Sequence, residues 1–195
     1  TLNAEITTAF PADQAIGEAL LARADGCIRM WEGRRAARGW PELGSPELHV
    51  RRRAAQLLGF QLFARWLRTG KISSREERKG LGELGLHGAR LGVSIASMTR
   101  GYLIFRDVTL ELINEEAGRL ETADEIVERI RQMNSFSCDS SILWMTRTFD
   151  QQKQLQAAEE VRLNAQLVNS EARFRTLFDS LACGVMVVDP GGVVT

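Results

Sequence analysis

The sequence predicts an all-α bundle whose last helix leaves the bundle as a long rod. Two observations carry that prediction. Apolar residues recur at helical spacing in successive stretches before Gly118, with no strand-like signal before Gly184. Between Gly118 and Gly184 there is no glycine or proline at all, whereas every other part of the chain is punctuated by them. A single helix of that length would run on the order of 90 Å at about 1.5 Å per residue. No single globular domain buries such a rod along its whole course. Its first half is therefore expected to be a core helix and its second half a connector.

Residues 1–10 are weakly patterned. From Asp13 to about Ala37 a helical pattern places Ile16, Leu20, Ala24, Cys27, Ile28 and Trp31 on one face. A loop over Gly39–Gly44 follows. Ser45-Pro46-Glu47 then reads as a helix start, with serine as N-cap, proline in the first turn and an acid beside it. That helix carries Leu48, Ala55, Leu58, Leu62, Phe63, Trp66 and Leu67 and ends at Thr69-Gly70. Ser73-x-x-Glu76 has the form of a capping box for a third helix. This helix holds Gly80, Gly82, Gly85 and Gly88, with Gly92 beyond. Glycine costs roughly 1 kcal/mol at each interior helix position, so this density implies close backbone approach, local breaks, or both. A fourth helix, from about Val93 to Glu116, runs through Ile95, Met98, Tyr102, Phe105, Val108, Leu112 and Ile113. The rod opens on Thr122-Ala-Asp-Glu, where Thr122 or Asp124 suits the cap and Glu125 the first turn. After Gly184 the period changes to an apolar strand, an Asp-Pro-Gly-Gly turn and the start of a second strand.

Composition excludes several function classes. With 25 basic and 25 acidic residues the chain carries no net field that would point to nucleic acid or an anionic membrane. Apolar runs are broken by Arg or Asp well short of membrane-spanning length. Cys27, Cys138 and Cys183 are odd in number and far apart, which argues for a reducing compartment and against disulfides or a zinc site. A cytoplasmic protein is expected.

Catalytic constellations are missing from the pattern. Glu76-Glu77, Glu115-Glu116 and Glu159-Glu160 are adjacent on helices, do not converge, and are expected to be solvated. The serines and cysteines show no nucleophile–base arrangement. Gly191-Gly192 reads as a hairpin turn rather than a phosphate loop. Arg34-Arg35-x-x-Arg38 and Arg51-Arg52-Arg53 lack interleaved aromatics and are expected to pair with acids on helix surfaces. Trp31, Phe60, Phe63, Trp66, Met98, Tyr102, Phe105, Phe136 and Trp144 read as core. Among them Phe63, Trp66, Met98, Tyr102 and Phe105 are candidates to line a cavity for a small apolar ligand.

The rod carries the strongest functional signal. Ala158, Val161, Ala165, Val168 and Ala172 repeat at 3–4 spacing, the seam of a parallel coiled coil. A second seam, Leu163, Leu167, Ser170, Phe174, Leu177 and Leu181, has the same spacing in another phase. Two competing seams make a register-ambiguous zipper, which suits a switch better than a static clamp.

Two resemblances add to this reading. Glu171-Ala-Arg-Phe-Arg-Thr-Leu-Phe, leading into Gly184-Val-Met-Val-Val-Asp-Pro-Gly-Gly, resembles the opening of PAS domains. That resemblance implies a PAS domain cut short here and an enzymatic output further on, a histidine kinase or a cyclic-dinucleotide enzyme such as a diguanylate cyclase. Upstream, Leu84-Gly85-Leu86-His87-Gly88-Ala89-Arg90-Leu91-Gly92, with Tyr102 beyond, resembles the segment around the proximal histidine of sensor globins. In that register the haem-ligand position is Gly88, and His87 falls one residue early, about 100° away around a helix. The pattern therefore looks like the non-haem globin-like sensor domains of stressosome proteins.

Together these imply a globin-like helical sensor over 1–149, a coiled-coil signalling helix over 150–172 and the start of a PAS domain over 173–195. The expected function is that of a non-catalytic sensory and dimerisation module in bacterial signal transduction. It would have no metal and no cofactor, and would homodimerise through the rod. The alternatives are a haem-based gas sensor using His87, and a ligand-free dimerisation scaffold.

Overall fold

The computed structural model describes residues 11–38 and 46–180, less the side chain of Ala12. All the regular structure among them is helical: α1 (Pro11–Ala22), α2 (Ala24–Ala37), α3 (Pro46–Thr69), α4 (Lys79–Arg90), α5 (Ile95–Arg119) and α6 (Asp124–Ser180). The all-α class expected from the sequence is what the chain adopts. The hairpin expected after Gly184 lies outside the described residues. The chain divides into two compact units, Thr1–Lys153 and Gln154–Thr195, and the boundary falls within α6.

The pattern read as one helix from Asp13 to Ala37 is two. Arg23 interrupts it, with φ −102° and ψ 10°, and its N–H reaches back only three residues to the Leu20 carbonyl (2.9 Å). The Arg23 side chain binds both Glu115 (2.5 Å) and Glu116 (2.9 Å) of α5. The break thus sits where α1 and α2 are tied to a third helix, a tertiary contact that periodicity cannot register.

In the first unit α1 packs on α3 and α5, α2 on α3 and α5, and α4 on α3 and α5. One apolar cluster joins Ile16, Ile28, Trp31, Phe60, Leu67, Ile104, Leu112 and Ile130, with its neighbours on α1, α2, α3, α5 and the start of α6. A second joins Leu48, Ala55, Leu84, Met98, Tyr102, Met145 and Phe149. The periodic positions read from sequence on α1 to α3 and α5 fill these clusters or pack against them, except Leu58 and Leu62 of α3.

Helix ends follow local chemistry. Gly70 takes φ 68° at the close of α3, and its N–H bonds the Trp66 carbonyl (2.8 Å). At the close of α4, Gly92 (φ 70°) allows the Val93 N–H to reach the Gly88 carbonyl at 2.9 Å, while its own N–H reaches Ala89 at 3.3 Å. This double closure is a Schellman motif. Ser94 caps α5 through the Ser97 N–H (3.2 Å). The capping box before α4 is shifted by one residue from the expected Ser73–Glu76. The Glu77 carboxylate accepts from the Ser74 N–H (2.7 Å), and the Ser74 hydroxyl accepts from the Glu77 N–H (3.2 Å). Both serines have a glutamate three residues on, but Glu77 is also paired with Arg65 of α3, which selects that frame.

Candidate functional site

The glycines of α4 are explained by close helix crossings, and no break interrupts the helix. A Cβ at Gly85 would run into the Met145 carbonyl oxygen of α6, and one at Gly82 would stand 3.1 Å from the Thr148 methyl. The Thr148 hydroxyl donates to the Gly82 carbonyl at 2.6 Å. Backbone thus lies against backbone where α4 meets α6. One turn further, a Cβ at Gly88 would collide with the Met98 sulfur of α5.

His87 lies on the opposite side of this packing. It is half-buried on α4, and its Nδ1 is 2.8 Å from the Glu83 carbonyl oxygen of the preceding turn. Among the described residues no group of three or more His, Cys, Asp or Glu is placed to hold a metal ion.

The five residues expected to line a cavity are all buried, but they do not share one space. Phe63, Tyr102 and Phe105 border a void of about 10 Å³ that also touches Asn134 and Cys138. That is room for at most one water. Phe63 and Trp66 border instead a groove of about 540 Å³ on the far side of α3, closed by the 72–78 turn and by α6. Met98 sits in the second apolar cluster against Gly88. Two residues expected in the core face this groove instead: Phe136, 46% exposed, and Trp144, half-buried. Phe136 meets Trp66 edge to face at 6.2 Å. Neither shift is readable from a heptad, because both follow from which way α6 is turned against α3.

The void around Tyr102 has polar walls. The Tyr102 hydroxyl and the Asn134 Nδ2 are buried with no hydrogen-bond partner among the described residues, and the Cys138 thiol approaches the Asn134 Oδ1 at 3.9 Å. Burial raises the Tyr102 hydroxyl well above its ordinary value. It pushes the Cys138 and Cys27 thiols up to about 12 each.

Charged residues divide between surface and interior. Arg34 pairs with Glu111, Arg51 with Glu47 (2.9 Å) and Arg53 with Glu32 (3.9 Å). Arg35 and Arg52 are buried, not on the helix surface. Arg35 stacks on Trp31 with its guanidinium carbon 5.0 Å from the ring centroid. Arg52 is lowered to about 10, first by burial and then by the charge of Arg35. Glu116, expected to be solvated, is 1% exposed and held between Arg23 and Arg119 (2.8 Å).

In the second unit the described residues of α6 are exposed, apart from half-buried Gln156. Ala158, Val161, Ala165, Val168 and Ala172 are all exposed, Val161 at 69%. So are Leu163, Leu167, Phe174 and Leu177 of the other seam, while Leu181 lies outside the described residues. At about 100° per residue the two seams fall on nearly opposite faces, roughly 180° apart. No helix among the described residues is long and apolar enough to cross a membrane.

The family model described as the RsbT co-antagonist protein rsbRD N-terminal domain matches residues 32–163. No match was found among curated proteins or among solved structures.

Proposed function

The chain belongs to the family of RsbT co-antagonist protein rsbRD N-terminal domains, and from that premise we propose that it is a haem-free sensory module that homodimerises in parallel through α6. It is a sensor domain of stressosome type. In this reading the first unit receives the signal and α6 carries it onward to a following domain, which the PAS-like residues 173–195 would begin. The output, a histidine kinase, a cyclic-dinucleotide enzyme or antagonism of an RsbT-type partner, would lie beyond, and the helical module itself would be non-catalytic.

One observation carries the reading. The helix whose residues Met145 and Phe149 are buried in the sensor core continues without a breaker into a segment whose seam residues are exposed. Apolar residues repeated at heptad spacing and left in water are the signature of a surface that pairs with another helix. The haem-free part rests on packing. Met98 occupies the space beside Gly88, where the sensor-globin resemblance puts the ligand. His87 is turned to its own helix, and the void beside Tyr102 is far too small for a macrocycle. These residues do not fit a haem.

Light scattering tests the assembly. The whole chain is expected to run as a dimer at micromolar concentration. Val161→Glu with Leu167→Glu, which places like charges in both seams, is expected to give a monomer with an unchanged melting temperature of the first unit. A wild-type chain that is monomeric up to a hundred micromolar would sink the reading.

A further inference from the structure

The groove beside Trp66 has a chemistry that neither the fold nor the assembly uses. We propose that it binds an amphipathic monocarboxylate, an aliphatic chain carrying one anionic head. The groove, of about 540 Å³, lies within the range usual for small-ligand sites. Its apolar lining comes from Leu62, Phe63 and Trp66 of α3 and Phe136, Leu143 and Trp144 of α6. Leu143 is 60% exposed, so this apolar surface stands open to water.

The groove is also lined by cations. Arg75, Arg78 and Arg147 all line the groove, and no acidic side chain does. Among the described residues none of the three arginines forms an ion pair, although neighbouring cations do: Arg65 pairs with Glu77 and Lys79 with Glu76 (3.8 Å). Arg75 is held over the Trp144 ring at 5.6 Å, and the Arg78 Nε donates to the Ser74 carbonyl at 3.3 Å. Trp144 is itself fixed, since its Nε1–H donates to the Arg78 carbonyl at 3.2 Å. The cationic and aromatic walls are therefore positioned against one another before anything binds. Trp66 is 4% exposed, and its Nε1 is buried with no partner among the described residues. A buried donor left without a partner destabilises the fold.

A neutral apolar ligand would leave three guanidinium groups idle, and a free inorganic anion would leave the aromatic wall wet. An anion with an apolar body uses both, and guanidinium groups favour carboxylates through charge-assisted hydrogen bonds. This proposal deepens the sensory reading by giving the chemical class of the sensed molecule. The α6 residues 136–147 that wall the groove belong to the helix that continues as the seam.

Isothermal titration calorimetry of the whole chain with sodium decanoate, below its micellar concentration, tests this. Saturable one-site binding is expected, at least tenfold weaker for hexanoate, and absent for decyltrimethylammonium. Arg75→Ala with Arg147→Ala, both exposed positions, should weaken decanoate at least tenfold at an unchanged melting temperature. Ser140→Trp, which fills the groove from α6, should abolish binding. The absence of saturable heat, equal binding of the cationic surfactant, or an arginine variant that binds as tightly as wild type overturns the proposal. The seam variant Val161→Glu/Leu167→Glu should still bind decanoate. A chain that binds but never dimerises refutes the assembly and leaves the groove, and a dimer that binds nothing does the reverse.

Discussion

Glu121 is the described non-glycine residue with positive φ, at 50°. It closes α5, where the Thr122 N–H reaches the Ala117 carbonyl at 3.0 Å and the Glu121 N–H reaches Gly118 at 3.4 Å. The same closure on α4 uses Gly92. The left-handed conformation costs a residue with a Cβ about 1–2 kcal/mol, so Glu121→Gly is expected to stabilise the fold by roughly 1 kcal/mol despite the freer unfolded chain. Chemical denaturation reads this as a higher midpoint at constant slope. At the same scale, Cys27 and Cys138 are fully or almost fully buried with thiols pushed up to about 12. Only the thiolate alkylates, so native protein at pH 8 should leave both unlabelled by iodoacetamide and unfolded protein should label them. From the ordinary thiol value near 9 up to about 12, the folded state binds more protons than the unfolded one. Stability should therefore be intact below pH 9 and fall as pH rises through that window. Melting temperatures measured between pH 8 and 11 check the sign.

The elements were legible in proportion to how local their causes are. The start of α3 at Pro46, its end at Thr69-Gly70, and the faces of α1 to α3 and α5 follow from proline, glycine and period, and these the residues state directly, whereas the Ser45 cap lies outside the described residues. The break at Arg23 was not legible, because its cause is a pair of carboxylates some 92 residues away. The capping box slipped by one residue because Arg65, on another helix, chooses between two equivalent frames. The glycines of α4 announced close approach without saying to what. The answer, α6 at Met145 and Thr148, also decides where Phe136 and Trp144 point, and hence that a groove exists. This crossing makes the sharpest prediction about an element. Gly85→Ala should cost about 3 kcal/mol or more, since the obstacle is the Met145 backbone, which cannot turn aside. Gly33→Ala on α2, where a Cβ meets nothing within 4 Å, should instead stabilise by about 1 kcal/mol. If the two substitutions behaved alike in thermal melts, the close approach of α4 and α6 would be wrong.

For the whole molecule, the sensory core and the connecting helix make different demands on the same chain. The core demands a single answer and is built for it, with small residues at crossings and part-buried ion pairs at Arg23 and Asp13, the latter held by Arg129 at 2.6 Å. In the proposed reading the connector is built for more than one answer. Its two seams lie on nearly opposite faces, one rich in alanine and valine, the other in leucine and phenylalanine, and the described residues of both are exposed. A partner helix that chose one seam would leave the other in water, so little free energy separates the two arrangements. A ligand that shifts α6 by a fraction of a turn has only to supply that difference. The candidate cavity read from sequence dissolved into a sealed core and a groove on another face, because side-chain direction, not residue type, decides which aromatics share a space.

The central claim is that two copies of α6 lie parallel and in register along these seams. Cysteine crosslinking tests it most directly, with Cys183 replaced by serine and Cys27 and Cys138 left buried. In a parallel in-register pair, identical positions face each other. Ala165→Cys is therefore expected to form a disulfide-linked dimer under mild oxidation, Leu167→Cys to report the competing seam, and Asn164→Cys, on the flank between them, to stay monomeric. Failure of both seam positions to crosslink, or crosslinking at Asn164 alone, would contradict the account.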